Sequence, residues 1–183
     1  MDDTYQEVND PAITVKFELE KNDTFPEGTK VLAWTTTPWT IPANMALAVR
    51  NNIDYVLVSY SGEYMIVAKN RAESVFKGKG EYVTEREFKG SELVGLGYIP
   101  PFPEYYYQKN GEKNHKIYHA DFITDTDGTG IGHEAPEFGD VDFQLAKKEG
   151  IFISEAMDEA GKYTSQIFDY EGTHYLDLDN PEK

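Results

Sequence analysis

Two stretches of this chain concentrate groups able to position a water and a charged partner. The first is Trp34-Thr35-Thr36-Thr37-Pro38-Trp39-Thr40-Ile41-Pro42-Ala43-Asn44. In an extended strand successive hydroxyls alternate faces, so only part of the threonine run can point one way. Pro38 then forces an extended or turned exit. A β-branched strand end with a proline stop would suffice for Thr-Thr-Thr-Pro alone. It accounts less well for the flanking tryptophans and for Asn44 just beyond. The second stretch is Gly128-Thr129-Gly130-Ile131-Gly132-His133-Glu134-Ala135-Pro136-Glu137-Phe138-Gly139-Asp140-Val141-Asp142-Phe143. Its glycines let the backbone approach a ligand closely, and its last acids open a helix. Taken singly, His133 reads as a satisfied loop or core histidine and Asp142 as a helix-dipole partner.

Several other chemistries fail on residue type. His133-Glu134 begins like a zinc protease motif, but Glu137 stands where the second histidine is required. Asp125, Asp127, Gly128 and Glu134 match part of a calcium-loop frame whose first position is Ile123, not a carboxylate. The chain has no cysteine, which removes disulfides, thiolate metal sites and cysteine nucleophiles. Neither a Gly-rich phosphate loop nor a Gly-x-Ser-x-Gly elbow occurs. Any chemistry is expected to run without a metal, a cofactor or a covalent nucleophile.

The elements that must carry these groups read as strand-rich. Ile13 to Leu19 alternates apolar and polar residues, and Lys30 to Trp34 is a second strand leading into the threonines. Tyr55 to Tyr60 and Glu63 to Ala68 flank Ser61-Gly62, a two-residue hairpin turn. Asn70 to Phe76 reads as a short helix, and Tyr82 to Phe88 and Ile117 to Phe122 as strands. Pro100 to Pro103 reads as a rigid loop, followed by Tyr105-Tyr106-Tyr107 as packing aromatics. Asp140 to Glu149 is the clearest helix, with Asp140 as its cap and Gly150 as its stop. Short strands with turns between them predict a β-rich α+β fold, a closed or nearly closed barrel with peripheral short helices.

Length, 183 residues, predicts one domain spanning 1–183. Aromatic residues at 14% argue for a folded core. The net charge of −16 argues against a free-standing nucleic-acid binder. Lys69 to Lys89 is net +2 against −18 elsewhere, which is read as ordinary mixed surface. The polar, acidic Met1 to Thr4 and the lack of a long apolar run predict neither a targeting signal nor a membrane span.

Together the two stretches resemble the editing (connective peptide insertion) domain of isoleucyl-tRNA synthetase. That family shows a Trp-Thr-Thr-Thr-Pro-Trp-Thr block and later Gly-Thr-Gly leading into His-x-Ala-Pro-x-Phe-Gly-x-x-Asp. Gly90-Ser91-Glu92-Leu93 running to Tyr98, and Pro101-Phe102, match between them. Valyl and leucyl relatives usually carry an arginine within the threonine block, absent from Thr37-Pro38-Trp39. The resemblance implies the β-barrel of the valyl/leucyl/isoleucyl type, as a fragment of a larger class I synthetase. It also implies hydrolysis of the ester of misacylated Val-tRNA(Ile), that is, post-transfer proofreading in the cytoplasm. The expected partners are the tRNA(Ile) 3′ end carrying valine and the remaining synthetase domains, with no membrane. Those other domains would use ATP and Mg; the editing domain would need neither.

The resemblance also implies roles. Asp142 holds the substrate ammonium by a charge-assisted hydrogen bond. His133 excludes isoleucine sterically. Thr37 and Asn44 lie nearest the reacting ester, and Thr35 and Thr36 add hydroxyls that position water or the oxyanion. Trp39 and Phe138 wall the pocket or support the adenosine, with plain packing as the alternative. Gly132 stands where the family usually has a larger aliphatic, which predicts a looser pocket wall. Two other readings stay open: a barrel that binds aminoacyl-adenosine without hydrolysing it, and an acidic module that docks on proteins.

Overall fold

Alternating apolar residues build most of the chain into sheets. The computed structural model describes residues 12–106 and 112–177. In chain order the elements are β1 (Ile13–Leu19), β2 (Lys30–Thr35), β3 (Ala46–Val49), β4 (Asp54–Tyr60), β5 (Glu63–Ala68), α1 (Lys69–Phe76), β6 (Val83–Lys89), β7 (Tyr98–Ile99), α2 (Pro103–Tyr106), β8 (Lys116–His119), β9 (Gly132–Glu134) and α3 (Asp140–Glu149). A 3-10 helix over Pro38–Ala43 links β2 to β3.

Six strands form one sheet in the order β6-β4-β5-β2-β1-β7, antiparallel except for the β2–β5 pair. β8-β3-β9 form a second, with β3 parallel to β8 and antiparallel to β9. Phe17, Val31 and Ile66 of the first sheet join Leu47 and Ile117 of the second in one buried apolar cluster. A second cluster sets Met45, Ala46 and Ala48 against Leu145 and Ala146 of α3 and against Tyr163 and Ile167.

The β-rich architecture with few short helices is as expected, but the closure is not seen. The described strands make two open sheets, and β7 and β9 are too short to carry a ladder around a ring. The hairpin turn has positive φ at both Ser61 (51°) and Gly62 (82°), the geometry that matches strand twist. Gly150 ends α3 in the left-handed conformation.

Local differences have local causes. Gly139, not Asp140, is the cap of α3, and no side chain caps it. Asp140 and Asp142 lie in the first turn, where the helix dipole still favours them. The strand expected through Phe122 stops at His119, where β3, its partner, also ends. Pro103 starts α2 instead of ending a loop, since proline suits a first helical turn. Tyr105 is buried, stacked on Phe102 and edge-on to Phe168, so it is a packing residue; Tyr107 lies outside the described residues, as do Met1 to Thr4. In the basic run, Lys69 pairs with Glu87, Arg86 with Glu92 and Lys89 with Asp54. No helix of the described residues is long and apolar enough to cross a membrane.

Candidate functional site

β2 delivers the threonine block, and its alternation sorts the hydroxyls. Thr35 is buried, Thr36 is exposed and Thr37 is half-buried at the start of the 3-10 helix. The Thr35 Oγ1 accepts from the Thr37 backbone N–H at 3.0 Å and lies 3.1 Å from Thr37 Oγ1. Thr40, one 3-10 turn on, donates its hydroxyl to the Thr37 carbonyl at 2.8 Å.

β9 delivers His133 to the same place by pairing opposite Leu47 of β3. The His133 Nε2 lies 3.0 Å from Thr40 Oγ1, and Nδ1 lies 2.7 Å from Asn44 Nδ2. The Asn44 amide orientation follows from its other partners. Its Nδ2 reaches the Ala46 carbonyl at 2.9 Å, an acceptor only, and its Oδ1 takes the Tyr98 hydroxyl at 2.5 Å. His133 Nδ1 must therefore accept, which leaves the proton on Nε2, donating to Thr40. Burial pushes the His133 pKa down to about 4, so the ring is neutral near pH 7. Asn44 is itself fixed, its carbonyl lying 3.2 Å from His115 Nε2. The result is one continuous relay, Tyr98–Asn44–His133–Thr40–Thr37, in which each step has a defined direction.

Asp142 sits in the first turn of α3, where its Oδ2 accepts the Ala135 backbone N–H at 2.9 Å. Burial raises its pKa, while the bonds from Ala135 and Glu134 lower it. The helix start is thus only part of its electrostatics. Glu134, next to His133 but on the opposite face of β9, is buried and borders Asp142.

The other expected residues separate into groups. Thr35, Thr37, Asn44 and His133 come together. Thr36 does not join their bonds. Trp39 and Phe138 meet edge to face at 5.2 Å, and Trp39 also packs on Tyr175 at 4.7 Å. Their geometry is that of aromatic packing beside the site. The missing side chain at Gly132 does not open the His133 face, because its Cβ direction leads to Glu134, Ile123 and Ala48. The looser wall expected there is absent on that face. A cavity of about 180 Å³ adjoins, lined by Trp34, Phe122, Asp127, Gly128, Gly130 and Gly132. It touches the residues that precede Thr35 and His133, not the relay itself.

Thr40, Tyr98 and Glu134 were not among the site residues read from the sequence, where Glu134 figured only in the rejected metal motifs. Thr40 was within the motif, but its partner is 93 residues away. Glu137 was noted only as the residue that breaks the zinc motif; its carboxylate takes the Ser154 hydroxyl and the backbone N–H groups of Ala156 and Met157 at 2.6 to 2.9 Å. This bonds the C-terminal segment to the loop that carries the site.

The two sheets and their crossing loops define a synthetase editing-domain fold. The structure is similar to GlLeuRS-CP1, with a TM-score of 0.61 at 20% identity over 75% of this chain and 60% of that one. It is also similar to the P. knowlesi cytosolic leucyl-tRNA synthetase editing domain, with a TM-score of 0.56 at 14% identity over 76% and 64% of the two chains. By sequence the chain corresponds to a segment of the isoleucine–tRNA ligases. It is 39% identical over 175 residues to that of Bacillus thuringiensis (strain Al Hakam), covering 96% of the chain and 16% of the ligase. It is 41% identical over 178 residues to that of Bdellovibrio bacteriovorus, again covering 96% of the chain. The chain spans about one sixth of the length of these relatives, 16% in both cases. No family model matches it.

Proposed function

We propose that this chain is the proofreading part of an isoleucine–tRNA ligase, a single domain that hydrolyses the ester of valine misattached to tRNA(Ile). The observation that carries the reading is the pinned, neutral His133 bonded to Asn44 and to the threonine block. A missing methylene changes binding by only ~1–3 kcal/mol, a magnitude established on isoleucine–valine discrimination itself, so a second site must sort by exclusion. A ring fixed through both nitrogens is a rigid wall suited to that task. Its Nδ1 is occupied and its pKa is about 4, so it is not the general base.

An aminoacyl ester needs a placed water and donors for the developing oxyanion more than it needs a strong base. The Thr37 and Thr35 hydroxyls, 3.1 Å apart, hold and orient that water, while Asn44 fixes the frame behind them. Asp142 takes the substrate ammonium. With a net charge of −16, the tRNA phosphates must be gripped by other domains, and the chain alone acts weakly.

Release of valine from Val-tRNA(Ile), with Ile-tRNA(Ile) in parallel, tests the reading. Valine freed and isoleucine spared is the expected result. Neither freed at high chain concentration would overturn it in favour of a binding-only module.

A further inference from the structure

Glu134 is only 2% exposed, and its Oε2 has no hydrogen-bond partner. A buried carboxylate oxygen without a donor is costly, and such an atom calls for an explanation. Two glycines clear space around it and its neighbour. A Cβ at Gly132 would lie 2.4 Å from Glu134 Oε1 and 2.8 Å from the Ile123 side chain. A Cβ at Gly139 would lie 2.7 Å from Asp142 Oδ1. Gly139 has an ordinary φ of −117°, and Gly132 is not among the positive-φ residues, so space and not backbone freedom is what both provide. The fold keeps a chamber for two carboxyl groups.

We propose that Glu134 is a positioning residue for the ammonium anchor: its carboxyl donates a hydrogen bond to Asp142 and holds Asp142 toward the substrate. This rests on the deacylase reading above. Two adjacent carboxyls, one buried and one half-buried, cannot both ionise cheaply, and one shared proton leaves a single negative charge to match a single ammonium. Burial and the Asp142 charge both hold Glu134 well above the usual carboxylate range. The titratable groups facing it are Asp142 from α3 and Tyr98 from β7, whose hydroxyl burial also keeps neutral. Around the missing Gly132 Cβ the other nearest atoms belong to Ile123 and Ala48, both apolar.

The test compares the full chain with Glu134→Gln, which keeps a donor, and Glu134→Leu, which keeps the volume without one. Circular dichroism checks that both fold. Carbon NMR of labelled carboxyls is expected to show Glu134 titrating at higher pH than the exposed glutamates. In valine release, Glu134→Leu is expected to raise KM about tenfold with kcat within about threefold, while Glu134→Gln stays within about twofold of wild type. Glu134 titrating with the exposed glutamates, a wild-type KM in Glu134→Leu, or equal impairment in both variants would each overturn the proposal. A wild-type chain that frees no valine, with Glu134 still protonated, would instead sink the deacylase reading and the positioning role, leaving the proton-sharing pair intact.

Discussion

His133 and Glu134 are neighbours on one short strand, yet they solve the same problem in opposite ways. Both are titratable groups shielded from water, His133 partly and Glu134 almost wholly, and in both the shielding shifts the pKa toward the neutral form. His133 loses its proton and is then satisfied at both nitrogens by Asn44 and Thr40. Glu134 is shifted the other way, with its Oε2 unpartnered and its carboxyl filling room left by Gly132. The first face is a closed lattice of neutral hydrogen bonds suited to a rigid wall. The second is a chamber whose charge is adjustable, suited to a cation. Under the proposed function, exclusion and support of the anchor fall on opposite faces of β9.

The sharpest way to break the contrast is to remove the charge on the second face. Asp142→Ala should lower valine release about 100-fold with the circular dichroism spectrum unchanged, since a charge-assisted hydrogen bond is worth ~1.5–3 kcal/mol. Unaltered release would remove Asp142 as the anchor. On the first face, His133→Ala should leave valine release largely intact but raise the isoleucine-to-valine release ratio about tenfold, the scale of one methylene. An unchanged ratio would mean that the wall lies elsewhere.

Gly132→Val should cost ~1–3 kcal/mol by overfilling the carboxyl chamber, read as a lower urea midpoint. Adding Glu134→Ser should recover most of it, since residues that share a space couple strongly. Additive losses would show that the two positions are independent.

Stability against pH sharpens the contrast again, because there the two faces pull in opposite directions. The His133 pKa falls from 6.5 to about 4 on folding, so its contribution is full above pH 6.5 and is lost as pH falls toward 4. Glu134 is raised above 4.5, so its contribution is full below pH 4.5 and is lost as pH rises through its folded value. Urea midpoints should therefore lose less on acidification in His133→Gln and less on alkalinisation in Glu134→Gln. Reversed signs would refute the protonation states assigned here.

Much of this was legible in the sequence where signals are local. β1, the β4–β5 hairpin, α1 and α3 follow from periodicity and turn chemistry, nearly to the residue. β3 and β9 were not, because Ala46–Val49 is a short apolar run without alternation and Gly132–Glu134 has only three residues. The two motifs pointed to Thr35, Thr37, Asn44, His133 and Asp142. Thr40 and Tyr98 were silent because their significance depends on partners 93 and 54 positions away. Gly132 looked like a widened pocket wall in one dimension. Only the direction of its missing Cβ ties it to Glu134.

The pairing of β9 with β3 sets Leu47 opposite His133 and Ala46 opposite Glu134, held by the Met45 N–H bond to the Glu134 carbonyl at 3.0 Å. Side chains alternate along a strand, so a slip of one residue would exchange the two faces completely. The imidazole would then enter the carboxyl chamber, and the glutamate would meet the threonines. Composition would be untouched, yet both of the arrangements described above would be lost. The arrangement of this site is therefore a matter of phase, set by a single main-chain alignment between two of its shortest strands.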